Sequence, residues 1–368
     1  MPTSPRTRSR FLRGLLTVTA VTSVVAVSAC GSSDSSAAGS GAAGGSAAPK
    51  ALKIGVSYPT ANNPFWDNYT SFIQDGAKQL GATVTLVSAD NNETKQLNDV
   101  ENLISQGVDG LIVTPQSTSV AQGILRAATQ RKIPVVVTDR YPGYEPGTNK
   151  NADYLGFIGP NDVQAGKGIT EALAADGAKN LLAVGGTPGS SVAEGRKQGL
   201  DEGVAAAGAT IVQYQAAGET QELGQKTAEN LLQANPKGKA DGIWCYNDAL
   251  CMGAIKAVKD SGRASEFKLG GLDLSADAVK AIQDGTYDVS FGGHWLQGGF
   301  GLVMLYDSLN GKQPKQPVTK LNLLKVDKTN VAKFVDQYVT NPPTYDFKQL
   351  SQVTNPAATG TFDITLKQ

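Results

Sequence analysis

A chain of 368 residues carrying 33 basic and 33 acidic side chains has no net field to draw it toward nucleic acid or an anionic surface, and a neutral ligand suits that balance. One histidine and three cysteines leave too few ligands for a zinc site of the usual types, and a Ser-His-Asp triad could be built only around His294. No metal or cofactor is expected, and once a leader is set aside the remaining length suits two domains better than one.

At the N-terminus, Arg6, Arg8, Arg10 and Arg13 precede an apolar run from Leu15 to Val27. The run is too short to span a bilayer and reads as an export signal. It closes on Val27-Ser28-Ala29-Cys30, which resembles the lipobox of bacterial lipoproteins, where the cysteine is acylated and becomes the new N-terminus. An ordinary cleavage site with an incidental cysteine is the alternative. Residues 1–29 are therefore expected to be a lipoprotein signal peptide and Cys30 the lipidated residue, anchoring the protein to the outer face of the cell membrane. Residues 30–50, almost wholly Gly, Ser and Ala, cannot bury a core and should act as a flexible tether.

From Leu52 onward, short continuous apolar runs alternate with helical periodicity, the pattern of parallel strands covered on both faces. The expected strands are Leu52–Ser57, Thr83–Val87, Gly110–Val113, Pro134–Thr138, Leu155–Ile158, Leu181–Val184, Thr210–Tyr214, Gly242–Trp244, Lys268–Leu272 and Asp288–Phe291. So many βα units exceed one compact open sheet and predict two doubly wound lobes, split near Ile158. Ligands of such sheets bind beyond the carboxyl ends of the strands, so those ends are where functional residues belong.

The first strand leads into Asn62-Asn63-Pro64-Phe65-Trp66, where Pro64 can open a helix capped by the preceding asparagine. The two aromatics either pack inward or lie against the apolar face of a sugar ring. The fourth strand ends in Asp139-Arg140, a carboxylate that accepts from adjacent hydroxyls beside a guanidinium that donates in a fixed fork, or else a plain ion pair. Asn247 and Asp248 stand at another strand-to-helix junction, and Asp273 ends a strand just before Ser275 caps a helix. Cys245 and Cys251 flank the Asn247 junction; they either form a disulfide in an oxidising compartment or remain two buried thiols.

Taken in order and spacing, NNPFW, VVVTDR, YNDALCMGAIKAV and LGGLDLSADAVKAIQDG resemble the ribose-binding proteins of the type I periplasmic sugar-binding family, over roughly residues 52–326. The resemblance implies two α/β lobes joined by a three-strand hinge, the N-terminal lobe from 51–158 plus 294–322 and the C-terminal lobe from 159–293 plus 323–368. It implies no catalysis, and ligand contacts from Asn63, Phe65, Trp66, Asp139, Arg140, Asn247 and Asp273. The pattern departs at GGTPGSSVAEGRKQG, where Glu194 or Ser191 stands near an expected arginine and Arg196 comes slightly later. It departs again at GETQE, where an aromatic is lacking and Glu219 becomes a candidate, and at SFGGHWLQGG, which offers His294 and Trp295 in place of a glutamine.

The reading that follows is a monomeric, extracytoplasmic receptor that binds a small sugar or polyol and delivers it to the permease of an ABC transporter, with no nucleic-acid partner. The alternatives are a sensory sugar receptor for a signalling partner, or a secreted carbohydrate-active enzyme using carboxylates among Asp139, Glu194 and Asp273.

Overall fold

The computed structural model describes residues 51–341 and 344–364. The expected signal peptide (1–29), Cys30 and the whole expected tether (30–50) lie outside the described residues. The described residues all belong to one compact unit.

The chain begins β1 (Lys53–Tyr58), α1 (Pro64–Leu80), β2 (Thr83–Ser88), α2 (Glu93–Ser105), β3 (Gly110–Val113), α3 (Thr118–Gln130), β4 (Val135–Thr138) and β5 (Gly156–Pro160). It continues through α4 (Asp162–Ala175), β6 (Asn180–Gly185), α5 (Ser191–Ala207), β7 (Thr210–Ala216), α6 (Gln221–Ala234), β8 (Gly242–Cys245), α7 (Asp248–Asp260), β9 (Lys268–Asp273), α8 (Ala276–Asp284) and β10 (Val289–Gly292). Last come α9 (Gln297–Leu309), β11 (Val318–Leu321), β12 (Leu324–Asp327) and α10 (Val331–Phe334).

These strands make two six-stranded sheets, ordered β11-β5-β4-β3-β1-β2 and β12-β10-β9-β8-β6-β7. All pairings are parallel except β10 with β12. The inner strands β3, β4 and β8 are buried along their whole length, as helices on both faces require, whereas the edge strands β2 and β7 are only half covered. Each of the ten expected strands coincides with one observed. Sequence periodicity missed β11 and β12, because these edge strands, VTKL and LKVD, alternate buried and exposed positions instead of forming unbroken apolar runs.

The chain passes between the sheets three times: from β5 to β6, from β10 to β11, and from β11 to β12. The first sheet thus takes its edge strand from near the chain's end, paired as Val318 with Phe157. The tail departs from the expected boundary. Residues 323–368 were expected with the second lobe, and β12 does join that sheet, but the tail beyond 344 packs on the first lobe. There Phe347 shares a cluster with Leu80 of α1 and Val303 of α9. The Gln79 amide bonds the Tyr345 carbonyl and the Phe347 N–H, and Asp307 accepts from Ser351 Oγ and the Gln352 N–H. The tail's aromatic rings find their apolar partners there.

Close approach of α4 and α5 fixes one functional side chain. A Cβ on Gly166 would lie 2.1 Å from the Arg196 carbonyl, and one on Gly199 would lie 2.1 Å from that of Val163. Only glycine allows this contact, and it brings Arg196 of α5 beside Asp162 at the start of α4.

Candidate functional site

The carboxyl ends of the strands from both sheets meet around a tight cavity of about 20 Å³, room for about one water molecule.

On the first lobe, Asn63 caps α1, its Oδ1 accepting from the Phe65 N–H at 3.0 Å. Pro64 at the first helical position wastes no donor. This start presents Phe65 and Trp66 to the cavity; their rings meet edge to face at 4.8 Å, and the Phe65 ring lies 4.5 Å from that of His294. At the end of β4, Asp139 is held at φ 64°, a left-handed backbone that a non-glycine residue adopts at a cost. Its Oδ1 accepts from Gln297 Nε2 at 2.8 Å. Arg140 donates through Nη1 to the Gln116 carbonyl at 3.1 Å. Through Nη2 it donates to both carboxylate oxygens of Glu219, at 2.8 and 3.1 Å, a contact that crosses from the first lobe to the second.

On the second lobe, Arg196 donates from Nε to Asp162 at 3.0 Å and from Nη1 to the Tyr246 carbonyl at 2.9 Å, and its guanidinium sits 4.6 Å from the centre of the Tyr246 ring. Asn247 caps α7 by accepting from the Leu250 N–H, and its amide donates to the Glu219 carbonyl at 3.3 Å. Asp273, at the end of β9, has φ 136°, and Leu274 after it has φ 57°. Asp248, fully buried behind this turn, accepts from the Ser275 N–H at 3.0 Å and from the hydroxyls of Tyr287 and Ser290 at 2.8 Å. The Ser290 hydroxyl in turn accepts from the Leu274 N–H. The strained strand end that aims Asp273 is therefore tied down by a buried polar network.

Burial dominates the site's electrostatics. It pushes the carboxyl of Asp139 up against the pull of Arg140, that of Asp273 well up against Arg196, and that of Asp162 up to about 7. The same burial holds His294 well below its usual value, so the imidazole is neutral near pH 7.

The cavity brings together Asn63, Phe65, Trp66, Asp139, Arg140, Asn247, Asp273 and His294, and also Glu219. Two expected residues stand elsewhere. Glu194 is exposed in the first turn of α5, because two residues along a helix point to nearly opposite sides and Arg196 is the one that faces inward. Trp295 is half-buried outside the cleft, its ring edge-on to Tyr338, while its neighbour His294 on the same single turn points in. The sequence reading missed Tyr246, Asp162 and Gln297. Tyr246 opens the YNDALCMGAIKAV motif directly before Asn247 but was not read as a site residue; no local signal marks the other two.

Cys245 at the end of β8 and Cys251 in α7 are joined in a disulfide with Cα atoms 5.5 Å apart, bracketing Tyr246, Asn247 and Asp248. With a sequence separation of 6, chain entropy assigns the bridge about 2 kcal/mol. The double replacement Cys245→Ser with Cys251→Ser is expected to lose that much in denaturant unfolding, and non-reducing peptide mapping of the parent should return the linked pair. Recovery of both thiols free would contradict the pairing.

This architecture, two doubly wound lobes with a small polar and aromatic cavity between their strand ends, defines a two-lobe solute-binding protein. A family model described as periplasmic binding protein domain matches residues 54–313. The chain is 33% identical over 239 residues to the ribose import binding protein RbsB of Bacillus subtilis, covering 64% of this chain and 74% of that one. Among solved structures it resembles an ABC transporter solute binding protein from Mycobacterium smegmatis with bound glycerol, at TM-score 0.71 and 26% identity over 78% of this chain and 98% of that one. It also resembles the Caulobacter myo-inositol binding protein bound to myo-inositol, at TM-score 0.70 and 25% identity over 77% and 95%. The chain belongs to the type I periplasmic sugar-binding protein family.

Proposed function

We propose that this protein is a lipid-anchored extracytoplasmic receptor that captures a small sugar or polyol between its lobes and delivers it to the permease of an ABC importer. The observation that carries the reading is the cavity itself, to which both lobes contribute aromatic rings and directed hydrogen-bonding groups from strand ends. Rings cover the apolar faces of a sugar while amides and carboxylates take its hydroxyls. Rotation about the three crossings opens and shuts the cleft, and the shut form is the one a permease reads. The relatives that bind ribose, glycerol and myo-inositol support the ligand class.

A thermal-shift screen of the purified protein against pentoses, hexoses and polyols tests this. A ligand present at about a hundred times its Kd stabilises the folded state by about 2.7 kcal/mol, so at least one member should raise the melting temperature clearly. A panel with no stabilising member overturns the ligand class. The anchor is tested separately: Cys30→Ala should move the protein from the membrane fraction to the soluble fraction, and undiminished membrane retention would refute lipidation at Cys30.

A further inference from the structure

The tail that follows β12 lies beyond residue 313, where the match to the family model ends. It holds both lobes. On the second lobe α10 packs against α8 and buries Val331 and Phe334. On the first lobe Tyr345 meets Phe72 of α1 and Phe300 of α9 edge to face at 5.0 and 5.9 Å, and Phe362 stacks on Phe300 at 4.9 Å. The tail is thus a further link between the lobes, beside the three crossings.

From both its ends the tail also closes on the second crossing, between β10 and α9. Phe334 stacks on Tyr338 at 5.1 Å, and the Tyr338 ring meets that of Trp295 edge-on at 6.5 Å. Ile364, 4% exposed, comes so near Gly293 that a Cβ there would lie 2.9 Å from its Cγ2. Burial and the neighbouring Asp363 carboxylate both push the Tyr338 hydroxyl up, which sets the two ends of the tail side by side. Gly293 and Trp295 flank His294, whose ring points the other way, into the cavity and against Phe65. Among the described residues His294 Nδ1 is buried with no hydrogen-bond partner, ready for a ligand hydroxyl.

His294–Leu296 is a single 3-10 turn, and the bond from the Leu296 N–H to the Gly293 carbonyl is long, at 3.3 Å. Gly293 enters it at φ 98°, a backbone open to glycine and strained for other residues. So short a turn, with poor hydrogen-bond geometry, does not fix its own direction. Packing from behind must do so, and the tail supplies it through Tyr338 and Ile364.

We propose that the tail belongs to the binding machinery: Tyr338 and Ile364 are positioning residues that hold the second crossing from outside and so aim His294 at the ligand. The inference rests on the reading of the cavity as a sugar or polyol site, and it adds to that site a segment that the family match does not include. Contacts that depend on the lobes being together act on the escape of a ligand rather than on its first encounter.

The test uses the purified protein. Tyr338→Ala and Ile364→Ala should each speed hydrogen exchange at the amides of residues 293–297 by about tenfold, while exchange in the buried strands β3 and β8 stays as in the parent. Stopped-flow fluorescence and calorimetry with D-ribose, glycerol and myo-inositol follow. For each of the three that binds the parent, both variants should release it about threefold faster or more, with the association rate unchanged. Tyr338→Phe keeps the ring and should restore the parent's values, and Ile364→Val should fall between. Should either alanine variant fail to fold, Tyr338→Leu and Ile364→Val take its place. Exchange at 293–297 that matches the parent's overturns the inference, as does faster exchange with unaltered release and affinity; both leave the sugar reading intact. A tail that only stabilises the fold would quicken exchange throughout and lower the melting temperature without touching affinity, and that result also overturns it. Binding of none of the three by the parent counts against the sugar or polyol reading, and the exchange at 293–297 then decides alone whether the tail holds the turn.

Discussion

Replacing Asp139 by alanine should weaken ligand binding by about tenfold to a hundredfold. Loss of a hydrogen bond to a charged group costs about 1.5–3 kcal/mol, and each 1.4 kcal/mol is a factor of ten in affinity. The side chain is 5% exposed at the end of a fully buried strand, so its direction is set by a rigid element and water cannot substitute for it. Alanine at φ 64° also adds backbone strain that aspartate and asparagine tolerate better. Asp139→Asn therefore separates the two effects: it should bind weakly while folding as well as the parent. Asp201→Ala, on the exposed face of α5, is the control and should bind normally. Calorimetry with the ligand that the screen returns decides the matter; equal affinities for the Asp139 variants and the control would place the binding site elsewhere.

Asp248→Ala should produce the largest loss of stability, about 2–4 kcal/mol in denaturant unfolding. The carboxylate is fully buried and collects the Tyr287 hydroxyl, the Ser290 hydroxyl and the Ser275 N–H, and alanine leaves all three without an acceptor. Burial also raises this carboxyl to about 6, so Asp248→Asn, which keeps the shape and avoids burying a charge, should recover part of the loss. Because the same network secures the Asp273 and Leu274 turn, the alanine variant should lose affinity as well as stability. A stable Asp248→Ala protein with normal binding would show that the turn holds itself.

The comparison of sequence with structure divides along physical lines. Ten strands were legible, the eight interior ones because parallel strands covered on both faces demand unbroken apolar runs, as in VVVT and GLIV. Asn63, Asp139, Asn247 and Asp273 were legible because strand ends in doubly wound sheets are where ligand groups gather. What failed was orientation within a turn. Whether Glu194 or Arg196 faces the cleft depends on the glycine-lined contact between α4 and α5, and whether His294 or Trp295 does so depends on one turn of helix. Asp162 and Gln297 were invisible because they reach the site only through partners distant in the chain: Arg196 for the one, Asp139 for the other. The tail was assigned to the wrong lobe because its packing rests on a few aromatic contacts rather than on any period.

The threefold passage between sheets also governs the order in which the molecule can be built. β11 is among the last strands made, yet it is the edge partner of β5, and α9, which packs on β4, precedes it only shortly. A ribosome releasing this chain would complete the helices and parallel strands from β6 to β10 while the first sheet still lacked its outer strand and one covering helix. The N-terminal half can nucleate early but cannot finish until nearly the whole polypeptide has emerged, and until then it offers the bare edge of β5 to any other strand it meets. Truncations ending before residue 321 should therefore aggregate rather than yield a working half-protein, and the lobes of this fold are inseparable in synthesis.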